Sequence, residues 1–235
     1  MPITLGCIAD DFTGATDLAN MLVKGGLKTI QLLGIPNQKD VDPSVEAVVI
    51  ALKTRTIPVR EAVSQSLQAL SWLKAAGTKR FFFKYCSTFD STDEGNIGPV
   101  IDAFMADLEA SFTIACPAFP ETGRTIFKGH LFVGDKLLSD SPMRNHPLTP
   151  MTDSNLVSIL SRQSSLKVGL VQYQDVSGGA PKIKGAFNEL KREGVSIAVT
   201  DVLINEQGTV DEVYYAKKDI ADHFSFEKIK EFATS

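Results

Sequence analysis

The sequence is short of the residues that build metal centres and disulfide frameworks. It carries 3 cysteines and 3 histidines in 235 residues. Cys7, Cys86 and Cys116 lie far apart and form no C-x-x-C pair, which reads as reduced, structural thiols in a cytosolic protein. His130, His146 and His223 have no zinc-ligand spacing, so no metal site is expected. Positive charge is not in excess either: 24 Lys and Arg against 28 Asp and Glu leave a net charge of −4, and the basic residues are scattered. A phosphate backbone wants a basic face, so nucleic acid is excluded as a general partner. No apolar run reaches the roughly 18 residues that span a bilayer, and Met1-Pro-Ile-Thr-Leu5 lacks the basic start of a signal peptide. The expectation is a cytoplasmic protein with no membrane partner.

Several nucleotide motifs are absent as well. Gly25-Gly-Leu-Lys-Thr29 has the wrong order for a phosphate loop and closes a helix instead of opening one. No G-x-G-x-x-G follows the first strand, which disfavours a dinucleotide-dependent sugar-acid dehydrogenase. A D-x-D phosphatase needs its carboxylates two apart, whereas Asp10 and Asp11 are adjacent.

What is present is an alternation of strand and helix patterns. Residues 3–9, 29–33 and 47–52 are apolar runs that predict buried strands. Residues 15–24 have helical periodicity closed by Gly25 and Gly26. Residues 59–76 predict the clearest helix, with Val63, Leu67, Leu70 and Leu73 on one face and Gly77 as the stop. A strand at 80–86, a helix at 97–109 and a strand at 112–116 follow. Residues 117–153, with Pro117, Pro120, Pro142, Pro147 and Pro150, read as long irregular loops around a short strand at 131–133. Regularity returns with helices near 154–162 and 182–193 and strands at 168–171 and 195–199. The alternation predicts an α/β, three-layer domain with a mostly parallel sheet flanked by helices.

Sheets of this kind bind ligands at the carboxyl ends of their strands. The first strand ends in Asp10-Asp11-Phe12-Thr13-Gly14 and opens a helix. Capping needs one side-chain acceptor, so a second carboxylate is available to a ligand hydroxyl as acceptor or general base. Later strand ends supply Lys53, Arg55, Lys84 and Arg124, together with the hydroxyl-rich run from Ser87 to Thr92. Cations at several strand ends suit an anionic ligand, and solvated surface charge is the alternative reading.

Five motifs in order carry a specific resemblance. They are Ile8-Ala-Asp-Asp-Phe-Thr-Gly-Ala-Thr-Asp17, Lys84-Tyr-Cys-Ser-Thr-Phe-Asp-Ser-Thr92, Gly95-Asn-Ile-Gly98, Gly123-Arg-Thr125 and Asn145-His-Pro-Leu-Thr-Pro-Met151. Over residues 3–201 the chain resembles the N-terminal, substrate-binding domain of the four-carbon acid sugar kinases, in particular those acting on 3-oxo-tetronate. The resemblance implies an ATP-dependent phosphorylation of the terminal hydroxyl of a four-carbon sugar acid, giving its 4-phosphate. It implies Asp10 and Asp11 as the catalytic pair, with which of them orients the hydroxyl left open. It implies Thr13, Gly14, Arg55, Lys84, Ser87, Thr88, Asp90, Ser91, Thr92 and Arg124 around the substrate. ATP and Mg²⁺ are implied by the family but belong to a C-terminal domain this sequence does not contain.

The resemblance stops near residue 205. Residues 206–235 read as an unrecognised tail of one or two amphipathic helices with Phe224, Phe226, Ile229 and Phe232 as apolar positions. Two functions stay open: the substrate-binding part of a kinase, or a stand-alone sugar-acid-binding protein without transfer. The expected partner is a small anionic sugar acid, with a homo-oligomer or a separate ATP-binding chain also open.

Overall fold

The computed structural model describes residues 3–36 and 42–203. The stretch expected as one domain, residues 1–205, comprises two compact units over its described residues, with the boundary between Cys86 and Ser87. The predicted helical tail lies outside the described residues.

The first unit runs β1 (Leu5–Ala9), α1 (Phe12–Lys24), β2 (Thr29–Leu33), β3 (Ala47–Ala51), α2 (Val59–Ala75) and β4 (Phe81–Lys84). Its sheet is parallel throughout, in the order β2-β3-β1-β4. The central strands, LGCIA and AVVIA, are buried at every position, as continuous apolar runs must be when both faces of a sheet are covered. The chain passes from β1 beyond β3 to reach β2, and from β3 beyond β1 to reach β4. Right-handed crossovers in opposite directions place α1 and α2 on opposite faces. Helix α2 seats Leu70 and Leu73, both at 0% exposure, and each such burial contributes about 1.5–3 kcal/mol. Its approach depends on Gly6, where a Cβ would lie 2.9 Å from both terminal methyls of Leu73. The two crossovers diverge between β1 and β3, so the crevice at the carboxyl ends of those strands is the topological switch point.

The second unit runs α3 (Ile97–Asp107), β5 (Thr113–Ala115), β6 (Arg124–Phe127), β7 (His130–Val133), β8 (Lys136–Leu137), α4 (Leu156–Gln163), β9 (Val168–Val171), α5 (Tyr173–Val176), α6 (Ala180–Arg192) and β10 (Ile197–Thr200). Strands β5-β10-β9 form a second parallel sheet, and β6-β7-β8 an antiparallel one. Ile183 and Phe187 of α6 pack with Val171, Val176 and Ala198, and Phe112 meets the Phe187 ring at 5.3 Å.

The predicted α/β class, with parallel pairing and flanking helices, is what the structure shows. Alternation tells how strands pair and not which of them share a sheet, so their division between two parallel sheets was not legible. Within the region expected to be irregular, β6 and β8 join the predicted strand near 131–133. The β6–β7 turn is made by Lys128 and Gly129, with φ of 51° and 76°, the left-handed pair that a two-residue hairpin turn requires.

Candidate functional site

At the switch point the backbone of Asp10 is tied to both neighbouring strand ends. Its N–H donates to the Lys84 carbonyl at 3.0 Å, and its carbonyl accepts from the Thr54 N–H at 2.9 Å. The side chain is thereby fixed against the loop after β3. Arg55 grips it with both arms, Nε to Oδ2 at 3.0 Å and Nη2 to Oδ1 at 2.8 Å. The same Nη2 stands 2.9 Å from Oδ1 of Asp11. Asp11 Oδ1 also accepts the Gly14 N–H at 2.8 Å and so caps α1.

The two adjacent carboxylates therefore have different work. Asp10 has both oxygens engaged by one guanidinium, and its side chain is 6% exposed against 28% for Asp11. Burial raises the Asp10 carboxyl above its ordinary range, while the Arg55 hydrogen bond and charge and the Lys84 charge pull it down. Burial opposes charge on Arg55, but the Asp10 hydrogen bond and charge outweigh it and hold the guanidinium protonated. Arg55, expected at the substrate, joins Asp10 and Asp11.

Lys84 is half-buried at the end of β4, and its ammonium donates to the Tyr85 carbonyl at 2.7 Å. A Cβ on Gly14 would sit 2.7 Å from Asp11 Oδ1 and 3.4 Å from Lys84 Nζ. Glycine at that position leaves the cap and the ammonium room. Thr13 is exposed in the first turn of α1. On the same rim Lys53 Nζ lies 4.9 Å above the Phe12 ring, a cation–π contact.

The second unit holds the hydroxyl-rich run. Thr88, Asp90 and Ser91 are buried, and Ser87 and Thr92 half-buried. Phe89 and Asp90 both have positive φ, 62° and 38°, which costs of order 1–3 kcal/mol each in a residue other than glycine. Phe89 is anchored by burial at 1% exposure. Thr88 Oγ1 donates to Asp90 Oδ1 at 2.7 Å, and the Asp90 N–H donates to the Thr88 carbonyl at 2.7 Å. Arg124, at the start of β6, donates from Nη1 to the Thr122 carbonyl. Its Nε is buried and makes no hydrogen bond among the described residues.

Two polar residues that sequence reasoning missed organise this unit. Asp201, at 0% exposure, accepts the N–H groups of Gly129 and Lys128, each at 2.8 Å, and that of Tyr173 at 3.0 Å. It pins the β6–β7 turn to the ends of β9 and β10, and its position just after a strand was the available signal. Gln163, the last residue of α4, bonds to Ser91, Thr92 and Gly98; no pattern in the sequence marks it. Among the described residues no cluster of three His, Cys, Asp or Glu is placed to hold a metal, and no helix is long and apolar enough to cross a membrane.

A parallel α/β unit with a charged cluster at its switch point has the architecture of a domain that binds small polar molecules. The chain belongs to the family of sugar-binding N-terminal domains, whose family model matches residues 5–222. It is 60% identical over 199 residues to the 3-oxo-tetronate kinase of Burkholderia multivorans, covering 85% of this chain and 46% of that protein. It is 54% identical over 203 residues to the 3-oxo-tetronate kinase of Haemophilus influenzae, covering 86% and 49%. The chain thus spans about half the length of the curated relatives it matches. Among solved structures, a Haemophilus influenzae protein of the family DUF1537 superposes with a TM-score of 0.88 at 51% identity, over 91% of this chain and 51% of that one. A DUF1537 protein from Bordetella bronchiseptica, described as a domain-swapped dimer with bound citrate, superposes with a TM-score of 0.74 at 25% identity, covering 92% of this chain and 51% of that one. The resemblance drawn from the five sequence motifs is borne out at the level of family.

Proposed function

We propose that this chain is the substrate-binding half of an ATP-dependent kinase that converts a four-carbon acid sugar, 3-oxo-tetronate, to its 4-phosphate. The observation that carries the reading is the switch-point cluster, in which Arg55 holds Asp10 and Asp11 side by side while Asp11 stays the more exposed. Phosphoryl transfer asks the protein mainly for positioning and charge neutralisation, with a carboxylate to orient the attacking hydroxyl. Asp11 is the group for that role, and Asp10 fixes the guanidinium that fixes Asp11. Lys84 receives the acid group beside the space left by Gly14, with the exposed Thr13 hydroxyl at the same helix start. In the second unit Ser87, Thr88, Asp90, Ser91, Thr92 and Arg124 are assigned to the sugar acid, and the unpaired Nε of Arg124 is a donor that an oxyanion would satisfy. Citrate bound to the Bordetella relative supports a hydroxylated carboxylic acid as the ligand class.

ATP and Mg²⁺ do not fit the residues seen here. The first turn of α1, where a phosphate would seek free N–H groups, is already capped by the Asp11 carboxylate, whose charge repels phosphate. Nucleotide and metal are assigned to the part of the relatives that this chain does not span. The cytoplasm is the compartment such a reaction implies.

Titration calorimetry with erythronate, a four-carbon sugar acid, and separately with ATP tests the reading. Saturable erythronate binding without ATP binding is expected of a substrate half. ATP binding by this chain alone would contradict the division of labour. Acid-sugar affinity in a chain joined to an ATP-binding half, with no phosphoryl transfer, would favour the stand-alone binding protein.

A further inference from the structure

We infer that Gln163 is the positioning residue for the 87–92 segment, acting on substrate affinity through Ser91 and Thr92 without touching the sugar acid. This rests on the proposal that the segment contacts that ligand. The side-chain amide works in two directions. Its Nε2 donates to Ser91 Oγ at 2.9 Å and to the Thr92 carbonyl, while its Oε1 accepts the Gly98 N–H at 2.9 Å. One residue at the end of α4 therefore joins the segment to the first turn of α3.

The surrounding glycines are matched to it. A Cβ on Gly98 would lie 2.5 Å from the Gln163 Cβ and 2.8 Å from its carbonyl carbon, so only glycine lets α3 approach that closely. A Cβ on Gly95 would fall 2.0 Å from Ser91 Oγ and 3.0 Å from Gln163 Nε2, in the space the Ser91–Gln163 bond occupies. The motif Gly95-Asn-Ile-Gly98 thus reads as room made for the amide. The need for a latch comes from the backbone on its other side: Phe89 and Asp90 hold positive φ, and a pair of such residues persists only where surrounding contacts over-determine it. Thr88 and Asp90 brace the start of the turn, and Gln163 braces its exit. Arg162 also reaches this region, to Asp93 at 2.6 Å and Asp153 at 2.8 Å, but those pairs are exposed and screened.

Gln163→Met keeps the length and helix preference of the side chain and removes both bonds. Gln163→Glu keeps the acceptor for the Gly98 N–H and removes the donors to Ser91 and Thr92. Erythronate affinity by calorimetry, amide hydrogen exchange over residues 87–96 and thermal unfolding are read on each full-length variant. Both variants are expected to bind roughly tenfold more weakly and to exchange faster over 87–96, with α6 and β10 exchanging as before. Wild-type affinity in either variant would overturn the inference, because retention in Gln163→Glu alone would mean that the Gly98 bond, and not the segment, is what matters. Unfolding of both variants, or exchange accelerated across the whole second unit, would likewise overturn it in favour of a packing role. Absence of erythronate binding in the wild type would instead remove the sugar-acid reading on which the inference rests, and is read out separately from the exchange result.

Discussion

The two units build polar sites from opposite materials. At the carboxyl ends of β1, β3 and β4 the first unit assembles Asp10, Asp11, Arg55 and Lys84, charges that sum to neutrality, with Arg55 within 3 Å of both carboxylates. The 87–96 segment of the second unit is held by hydroxyls, an amide and backbone groups, with Asp90 as its buried carboxylate. A charged cluster is strong where it is complete and costly where one member is lost, because removal strands a desolvated charge. A network of mostly neutral bonds loses about 1 kcal/mol per bond and instead depends on fit, as Gly95 and Gly98 show.

That contrast can be broken most forcefully at Arg55. Arg55→Met leaves Asp10 buried and unpaired beside Asp11, and urea unfolding at neutral pH is expected to show a loss of about 2–4 kcal/mol, with lower pH restoring part of it as the carboxyls protonate. No change would mean that the cluster contributes nothing to the fold. Gly98→Ala probes the fit of the other site: the added methyl meets the Gln163 backbone, and a loss of about 1–3 kcal/mol is expected by the same method, without pH dependence.

Asp10→Asn sharpens the comparison through pH. Burial raises the folded Asp10 carboxyl above the ordinary value of 3.8, so the folded state keeps a proton over a range in which the unfolded chain has lost it. Stability therefore falls as pH rises from 3.8 through that range and is level above it. Unfolding free energies measured along a pH series should show this segment in the wild type and not in Asp10→Asn; an unchanged segment would locate the titration elsewhere. The smallest stability effect belongs to Asp11→Asn, because asparagine caps a helix as well as aspartate, and a shift under about 0.5 kcal/mol is expected.

Much of this organisation was legible in the sequence because it is local. Apolar runs at 47–52 and 195–199 announce buried strands, and Gly25 and Gly26 announce the end of α1. Asp10 and Asp11 were legible as a pair at a strand end, since one helix start needs one cap. Which of them caps was not, because that depends on Arg55, 45 residues away from Asp10. Distance along the chain also hid the contact of Gln163 with Ser91 and that of Asp201 with the Lys128–Gly129 turn. The antiparallel strands at 124–127 and 136–137, which flank the predicted one, escaped notice because they are short, lie among prolines and, at the first turn, use Lys-Gly in place of Asn-Gly.

The central claim is that Asp11, steadied by Arg55 and Asp10, meets the sugar acid. Calorimetric titration of erythronate into wild type and Asp11→Asn tests it most directly. The account predicts saturable binding to the wild type and affinity weaker by roughly tenfold in the variant, at unchanged thermal stability. Equal affinity in the two proteins would contradict it.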